Sequence, residues 1–290
     1  MTLVLAVLAL VAFAANSILC RLALAGGRID AASFTSLRLL AGVLVLVPLT
    51  LSRRAPGPGS GSDANGGAGG RLGGSFAAGL ALALYALPFS FAYLSLTAGT
   101  GALLLFGAVQ GTMIAAGLLK GERPRIVEWI GFALALAGLV ALVAPGVQAP
   151  PPLSALLMVL AGAAWGIYSL LGRAASDPIA ATAGNFLRAA PWAIAASLVT
   201  LGAAHADRHG ALLAVLSGAV TSGLGYVAWY AALPGLGAMR AATAQLAVPA
   251  IAALGGVLLL GEPLTARAAG AAALVLGGVA LVLRSRTSPR

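Results

Sequence analysis

The sequence predicts an all-α integral membrane protein of ten transmembrane helices, arranged as two inverted five-helix repeats. Three observations carry that reading. Sixty percent of the 290 residues are apolar against 8% charged, and the mean hydropathy is +1.01, a composition foreign to water-soluble domains. Apolar runs of about 20 residues, each enough for a helix to cross roughly 30 Å of hydrocarbon, recur along the chain with short breaks. The second half also echoes the first, five runs against five.

The runs fall near 2–22, 31–51, 75–97, 100–119, 126–144, 153–172, 178–202, 210–232, 236–260 and 266–284. Backbone groups inside hydrocarbon must be paired within their own segment, so each run is read as a helix, and no apolar/polar alternation supports a barrel. No basic residue precedes the first run, and Leu19 ill suits a small-residue cleavage site, so this run is expected to stay as a span. Cys20, the single cysteine, can form no internal disulfide and reads as a packing residue. The stretch 52–74, dominated by Gly with Pro, Ser and Asp, has no face to bury and is expected to be a flexible cytoplasmic linker.

A net charge of +10, from 17 basic and 7 acidic residues, does not point to nucleic acid, because the basic residues are scattered among short loops. With the N-terminus inside, eleven of them fall in cytoplasmic segments, and Arg21, Arg28, Arg208 and Arg267 fall opposite. That asymmetry predicts an even number of spans with both termini inside, and the protein is expected as a multi-pass protein of a bacterial inner membrane.

The internal echo is specific. Leu119-Lys120-Gly121-Glu122-Arg123-Pro124, followed by Gly131 and Gly138, returns as Leu259-Leu260-Gly261-Glu262-Pro263, followed by Gly270 and Gly277. Phe13 through Arg21 matches Trp165 through Arg173, and the stretch ending at Arg38 matches the one ending at Arg188. Two units are therefore expected, 1–146 and 147–290. An odd number of spans per unit turns them in opposite directions, with a substrate site near the midplane between them.

The same residues resemble the EamA-type members of the drug/metabolite transporter superfamily over nearly the whole chain. The resemblance rests on Asn16, Arg21, Arg38, Pro48, Tyr93-Leu94-Ser95-Leu96, Gly121-Glu122 and Trp129-Ile130-Gly131 in the first half. In the second half it rests on Trp165-Gly166, Pro249, Gly261 and Glu262. Two places depart: Phe13-Ala14 stands where the family carries Trp-Gly, and Val109 stands where it carries Pro. The resemblance implies ten helices, both termini inside and export of metabolites such as amino acids.

Polar atoms without partners are costly in lipid, so polar and aromatic residues point to the interior. Spans five and ten are almost purely Ala, Leu, Gly and Val in their middles and read as scaffold. The expected substrate-binding set comes from the other spans: Asn16; Tyr85, Phe89 and Tyr93 at spacing four; Phe106 and Gln110; Trp165, Tyr168 and Ser169; Tyr226 and Tyr230; and Gln245. Helix packing or an interfacial belt is the competing reading for each ring. The pairs Gly107/Gly111, Gly117/Gly121 and Gly162/Gly166 have the spacing for close helix approach.

Arg38 and Arg188 are the basic residues inside spans. Two roles are open to them, bonding helix-end carbonyls or snorkelling on the one hand and contacting a substrate carboxylate on the other. The resemblance leans toward the structural role. All seven acids lie in loops or near span ends, so no midplane carboxylate is available for proton-coupled exchange. His205 and His209 share an external loop with Asp207 but lack further clustered ligands, and neither a metal nor a cofactor is expected.

These readings converge on an exporter of small metabolites, with aromatic and other neutral amino acids as the leading substrates and a monomer sufficient, a dimer being equally compatible. Efflux of hydrophobic drugs would use the same rings. A non-transport assembly protein is a third class. No nucleophile and base constellation supports an enzyme.

Overall fold

The computed structural model describes residues 1–52, 72–119, 125–143, 149–245 and 247–284. The helices are α1 (Thr2–Ala25), α2 (Ala31–Ser52), α3 (Phe76–Ala92), α4 (Ala98–Leu119), α5 (Ile126–Val143), α6 (Pro152–Gly172) and α7 (Pro178–Val199). They continue with α8 (Arg208–Leu216), a π-helical stretch (Ser217–Leu224), α9 (Gly225–Ala244), α10 (Ala247–Leu260) and α11 (Ala266–Arg284). Thr2–Ala25, Ala31–Ser52, Ala98–Leu119, Pro152–Gly172 and the continuous Arg208–Leu236 are long and apolar enough to cross a membrane. Phe76–Ala92, Trp129–Gly138, Ala247–Leu260 and Ala266–Gly278 are shorter apolar helices.

Polar side chains start the helices at the bundle ends. Ser75 accepts from Ala78 N at 3.0 Å, Asp177 accepts from Ile179 N at 2.9 Å, and Asp207 accepts from Gly210 N at 2.6 Å. Each satisfies a donor that the first turn cannot pair internally. The flanks are greasy: Leu3, Val4, Val7, Leu8 and Val11 line an exposed face of α1, as Leu254, Leu258 and Leu259 do on α10. So much exposed apolar surface suits lipid and would be unstable in water.

α2 packs on α7, α3 on α6 and α7, α4 on α6 and α10, and α1 on α9 and α10. α5 and α11 pack chiefly on one another, Gly138 lying against the Ala271 carbonyl and Leu274, as expected of scaffold helices. Of the three small-residue pairs, Gly162 and Gly166 lie at the α4–α6 contact, where a Cβ would strike Leu105, Ala108 and Thr112. Gly111 faces open space, and Gly121 lies outside the described residues.

Three expectations need correction. Most of the Gly-rich linker lies outside the described residues, but its last part is docked: Ser75 N donates to Asn185 Oδ1 at 3.1 Å, and Gly74 takes a positive φ of 78° against the same side chain. The break expected near 233–235 is absent, because α9 continues through Pro234 and ends at Ala244, with Gln245 in the turn that follows. Pro249 explains the new position. It has no N–H to give the Gln245 carbonyl, which Val248 N takes at 3.1 Å instead. The eighth run is also no uniform α-helix, since Ser217–Leu224 widens to π geometry.

Candidate substrate site

The buried polar centre is built around Arg38 of α2, 0% exposed. Its Nε donates to Ser222 Oγ at 2.8 Å, and its Nη2 donates to Tyr85 Oη at 3.0 Å and Tyr226 Oη at 2.6 Å. The guanidinium carbon lies 5.2 and 5.1 Å from the ring centres of Tyr85 and Phe89, within cation–π range. Among the described residues no Asp or Glu pairs with it, and Nη1 has no hydrogen-bond partner. Neither expected mode of the structural reading, a helix-end carbonyl or a snorkelled head, describes this arginine. It is fully buried, and hydroxyls on α3, α9 and the π stretch hold it where it is.

Asn16 of α1 sits beside this group. Its Oδ1 accepts from Ser217 Oγ at 2.6 Å, Thr221 Oγ1 at 3.3 Å and Ser222 Oγ at 3.4 Å, and its Nδ2 donates to Tyr85 Oη at 3.3 Å. The wider π turn lets all three hydroxyls face one side, and such turns recur at functional sites because they re-aim side chains. Gly218 makes the approach possible, since a Cβ there would collide with the Arg38 carbonyl.

The rings form a second layer. Trp165 of α6 meets Phe13 at 5.2 Å, Tyr85 at 5.0 Å, Tyr168 at 5.3 Å and Tyr226 at 4.6 Å, between ring centres. Its Nε1 donates to Gln245 Oε1 at 2.7 Å, so the break after α9 carries the acceptor for the central indole. Tyr168 and Tyr230 lie 5.0 Å apart, and Trp229 Nε1 donates to Ser169 Oγ at 3.3 Å. Phe89 links Tyr85 to Tyr93, whose hydroxyl donates to the Ala98 carbonyl at 3.3 Å.

The structure thus gathers Asn16, Tyr85, Phe89, Trp165, Tyr168, Ser169, Tyr226, Tyr230 and Gln245 into one cluster, with Tyr93 at its edge. Phe106 and Gln110 are buried on α4, which reaches the cluster by packing on α6. Arg188 is set apart, half-buried, its Nη1 donating to the Gly73 carbonyl at 2.9 Å. The rings pack against one another rather than around an open chamber, since apolar side chains close on themselves when nothing lies between them. A shallow pocket lies elsewhere, at the end where α1 gives way to α2, lined by Thr97, Thr100, Pro249, Ala253, Glu262 and Leu264.

Ser217, Thr221 and Ser222 are absent from the expected set. Three hydroxyls within six residues of an apolar run were the available signal. Phe13, noted only as a departure from Trp, packs in edge contact on Trp165, Tyr226 and Trp229.

Two ties close the α1–α2 end of the bundle. Arg21 Nε pairs with Glu262 Oε1 at 3.0 Å, its Nη1 reaches the Tyr93 and Leu94 carbonyls, and Glu262 Oε2 accepts from Ala98 N at 2.8 Å. One ion pair therefore joins α1, the α3–α4 turn and the α10–α11 turn. In the second tie, Ile29 and Ala206 form an antiparallel bridge, and the Asp30 carboxylate accepts from Ser33 N at 2.8 Å and His205 N at 3.0 Å. Burial works to raise the Asp30 carboxyl, but the Ser33 and His205 N–H groups outweigh it and hold the group below the ordinary carboxylate range.

The EamA-like transporter family matches this chain at residues 1–144 and again at 152–284. An uncharacterized protein of Pseudomonas aeruginosa is 53% identical over 285 residues, covering 98% of this chain and 95% of its own length. An uncharacterized transporter of Archaeoglobus fulgidus is 40% identical over 72 residues, 25% of this chain and 26% of its own. A solved crystal structure aligns with a TM-score of 0.65 at 21% identity, covering 95% of this chain and 98% of that one, a likeness of fold. With family matches over both halves and a relative of common descent along almost its full length, the chain is a multi-pass membrane protein that belongs to the EamA-like transporter family, a family of transporters and not of enzymes.

Proposed function

We propose that this protein exports small metabolites, aromatic and other neutral amino acids first among them, by alternating access around the Arg38–Trp165 cluster. The observation that carries this reading is the cluster's composition. Asn16, Arg38 and Tyr85 come from the first half, and Trp165, Tyr226 and Gln245 from the second, so relative movement of the halves changes the site itself. The two separate family matches support two repeated units, and the eleven-to-four basic asymmetry supports ten spans with both termini inside a bacterial inner membrane. In that orientation the α1–α2 end faces outward, and the Arg21–Glu262 and Asp30–His205 ties hold it shut.

Rings that now stack on one another would stack on an aromatic substrate when the halves part, and the Asn16 amide and nearby hydroxyls would hold its polar groups. Uptake into proteoliposomes across a panel of radiolabelled amino acids, sugars and cations tests the reading. Saturable transport of aromatic and branched neutral amino acids is the expected result, and transport confined to sugars or cations would overturn it. Trp165→Ala should weaken aromatic substrates about fivefold, equivalent to a ring contact of about 1 kcal/mol, while small substrates change little.

A further inference from the structure

The geometry points to Arg38 as the seat of a substrate carboxylate, in a site that selects apolar monocarboxylates and has no need of an ammonium group. This rests on the reading of the cluster as the substrate site, and it follows from counting donors and charges. A guanidinium has five N–H groups. Here Nε spends one on Ser222 and Nη2 spends two on Tyr85 and Tyr226, while both on Nη1 are without acceptors among the described residues. Tyr85 Oη faces Asn16 Nδ2, Arg38 Nη2 and Tyr226 Oη, more donors than its two lone pairs can accept, so one O–H of the Tyr85–Tyr226 pair remains to be given. Asn16 Oδ1 is likewise filled by Ser217, with Thr221 and Ser222 close by. The centre holds more donors than acceptors.

The charge count agrees. Arg38 is fully buried and faces only neutral oxygens and rings, so the unfilled site carries one positive charge in a medium where an uncompensated ion is costly. A carboxylate neutralises it and supplies acceptors for Nη1 and the spare phenol O–H of the Tyr85–Tyr226 pair. A zwitterion brings the same carboxylate but leaves an ammonium for which the cluster offers ring faces and no carboxylate. A cation is repelled. The apolar body would lie toward Trp165, Phe13 and Tyr168, which pack on the Tyr85 and Tyr226 rings whose hydroxyls hold the guanidinium.

Four compounds built on one phenylethyl unit separate these terms: 3-phenylpropionate, phenylalanine, 3-phenylpropanamide and phenethylamine. Binding to the purified full-length protein in detergent is read by thermal shift and by quenching of the buried tryptophans, independently of transport. The expected order is 3-phenylpropionate at least equal to phenylalanine, with the amide and the amine roughly tenfold or more weaker, the scale of a charge-assisted hydrogen bond. Arg38→Met should cost 3-phenylpropionate about 100-fold and leave the amide unchanged, and Arg38→Lys should recover part of the loss, since it restores charge without the planar fork. If Arg38→Met does not insert, Ser222→Ala, which frees Nε without removing charge, should still shift anion affinity and not amide affinity. Equal binding of amide and anion, or an anion preference that survives in a folded Arg38→Met protein, would overturn the inference. Anion binding without saturable transport would uphold it and sink the transport reading. Saturable transport of phenylalanine with no preference among the charge variants would do the reverse.

Discussion

Arg38 and Arg188 occupy matching places in the two halves of the sequence and opposite environments in the structure. Arg38 is sealed among hydroxyls and rings from both halves, with part of its hydrogen-bonding capacity unspent. Arg188 reaches the Gly73 carbonyl and fastens the end of the linker to α7. The neighbours account for the divergence. The Tyr85-Phe89-Tyr93 face of α3 returns in the second half as Ser222-Tyr226-Tyr230, so the long hydroxyl that meets Arg38 from its own half becomes a short one opposite. Ser222 then serves Arg38 instead. Sequence symmetry therefore does not carry over into symmetry of contacts: one arginine keeps donors unspent, and its mate is a fastening.

The strongest way to break this comparison is to remove both charges in turn. Arg38→Met should cut carboxylate transport about 100-fold in protein that still inserts, because it removes the buried positive charge and all of its N–H donors at once. Arg188→Met should keep transport within about twofold and speed proteolysis near 72–75, since its lost bond is a single half-exposed contact. Equal transport defects in the two variants would erase the distinction.

Tyr226→Phe sharpens it by removing one hydroxyl from Arg38 and none from Arg188. A lost bond to a buried charged group is worth about 2 kcal/mol, so the variant should melt several degrees lower and bind carboxylates more weakly. Phe186→Tyr, on a ring packed against Tyr226, adds a hydroxyl and removes none from Arg38, and provides the contrast.

A third cation, Arg21, lies between the two extremes, because it has a carboxylate partner and is only partly buried. Glu262→Gln removes that partner's charge and loosens the α1–α2 end. Cys20, the single cysteine, adjacent to Arg21 and fully buried, reports the opening. A membrane-impermeant maleimide should label it a few-fold faster in the variant, the modest size expected of a partly exposed ion pair. Unchanged labelling would mean that the Asp30–His205 tie closes this end alone.

The smallest effect is expected from shortening the Gly-rich segment within 57–70. Its composition offers no apolar face, and loop length enters closure only logarithmically, so transport and insertion should be unchanged as long as residues 72–75 remain to meet Asn185 and Arg188. Loss of inserted protein would show that the segment packs.

Helix positions were largely legible in the sequence, because in hydrocarbon the backbone must bond within its own segment and composition alone marks such segments. α2, α5, α6 and α11 begin and end within a residue or so of the apolar runs. The break at Gln245 was less so, since the apolar runs part at 233–235, yet the helix runs through Pro234 and stops where Pro249 withholds a donor. Much of the cluster was also foreseen, because rings, amides and arginines are costly against lipid and so identify themselves as interior.

What the sequence by itself determined is which residues are buried; what only the tertiary structure decided is which of them meet. Nothing along the chain says that Asn16 will share its carbonyl with Ser217, 201 residues away, or that Arg38 will find Ser222 and Tyr226 at separations of 184 and 188. Those contacts depend on a π turn and on Gly218 admitting a neighbouring backbone, both products of helix packing rather than local preference. Burial is a property of one side chain and its solvent, and can be read one residue at a time. Pairing is a property of two helices and the angle between them, and a hydrogen bond at 2.6 Å requires their placement to within a fraction of an ångström.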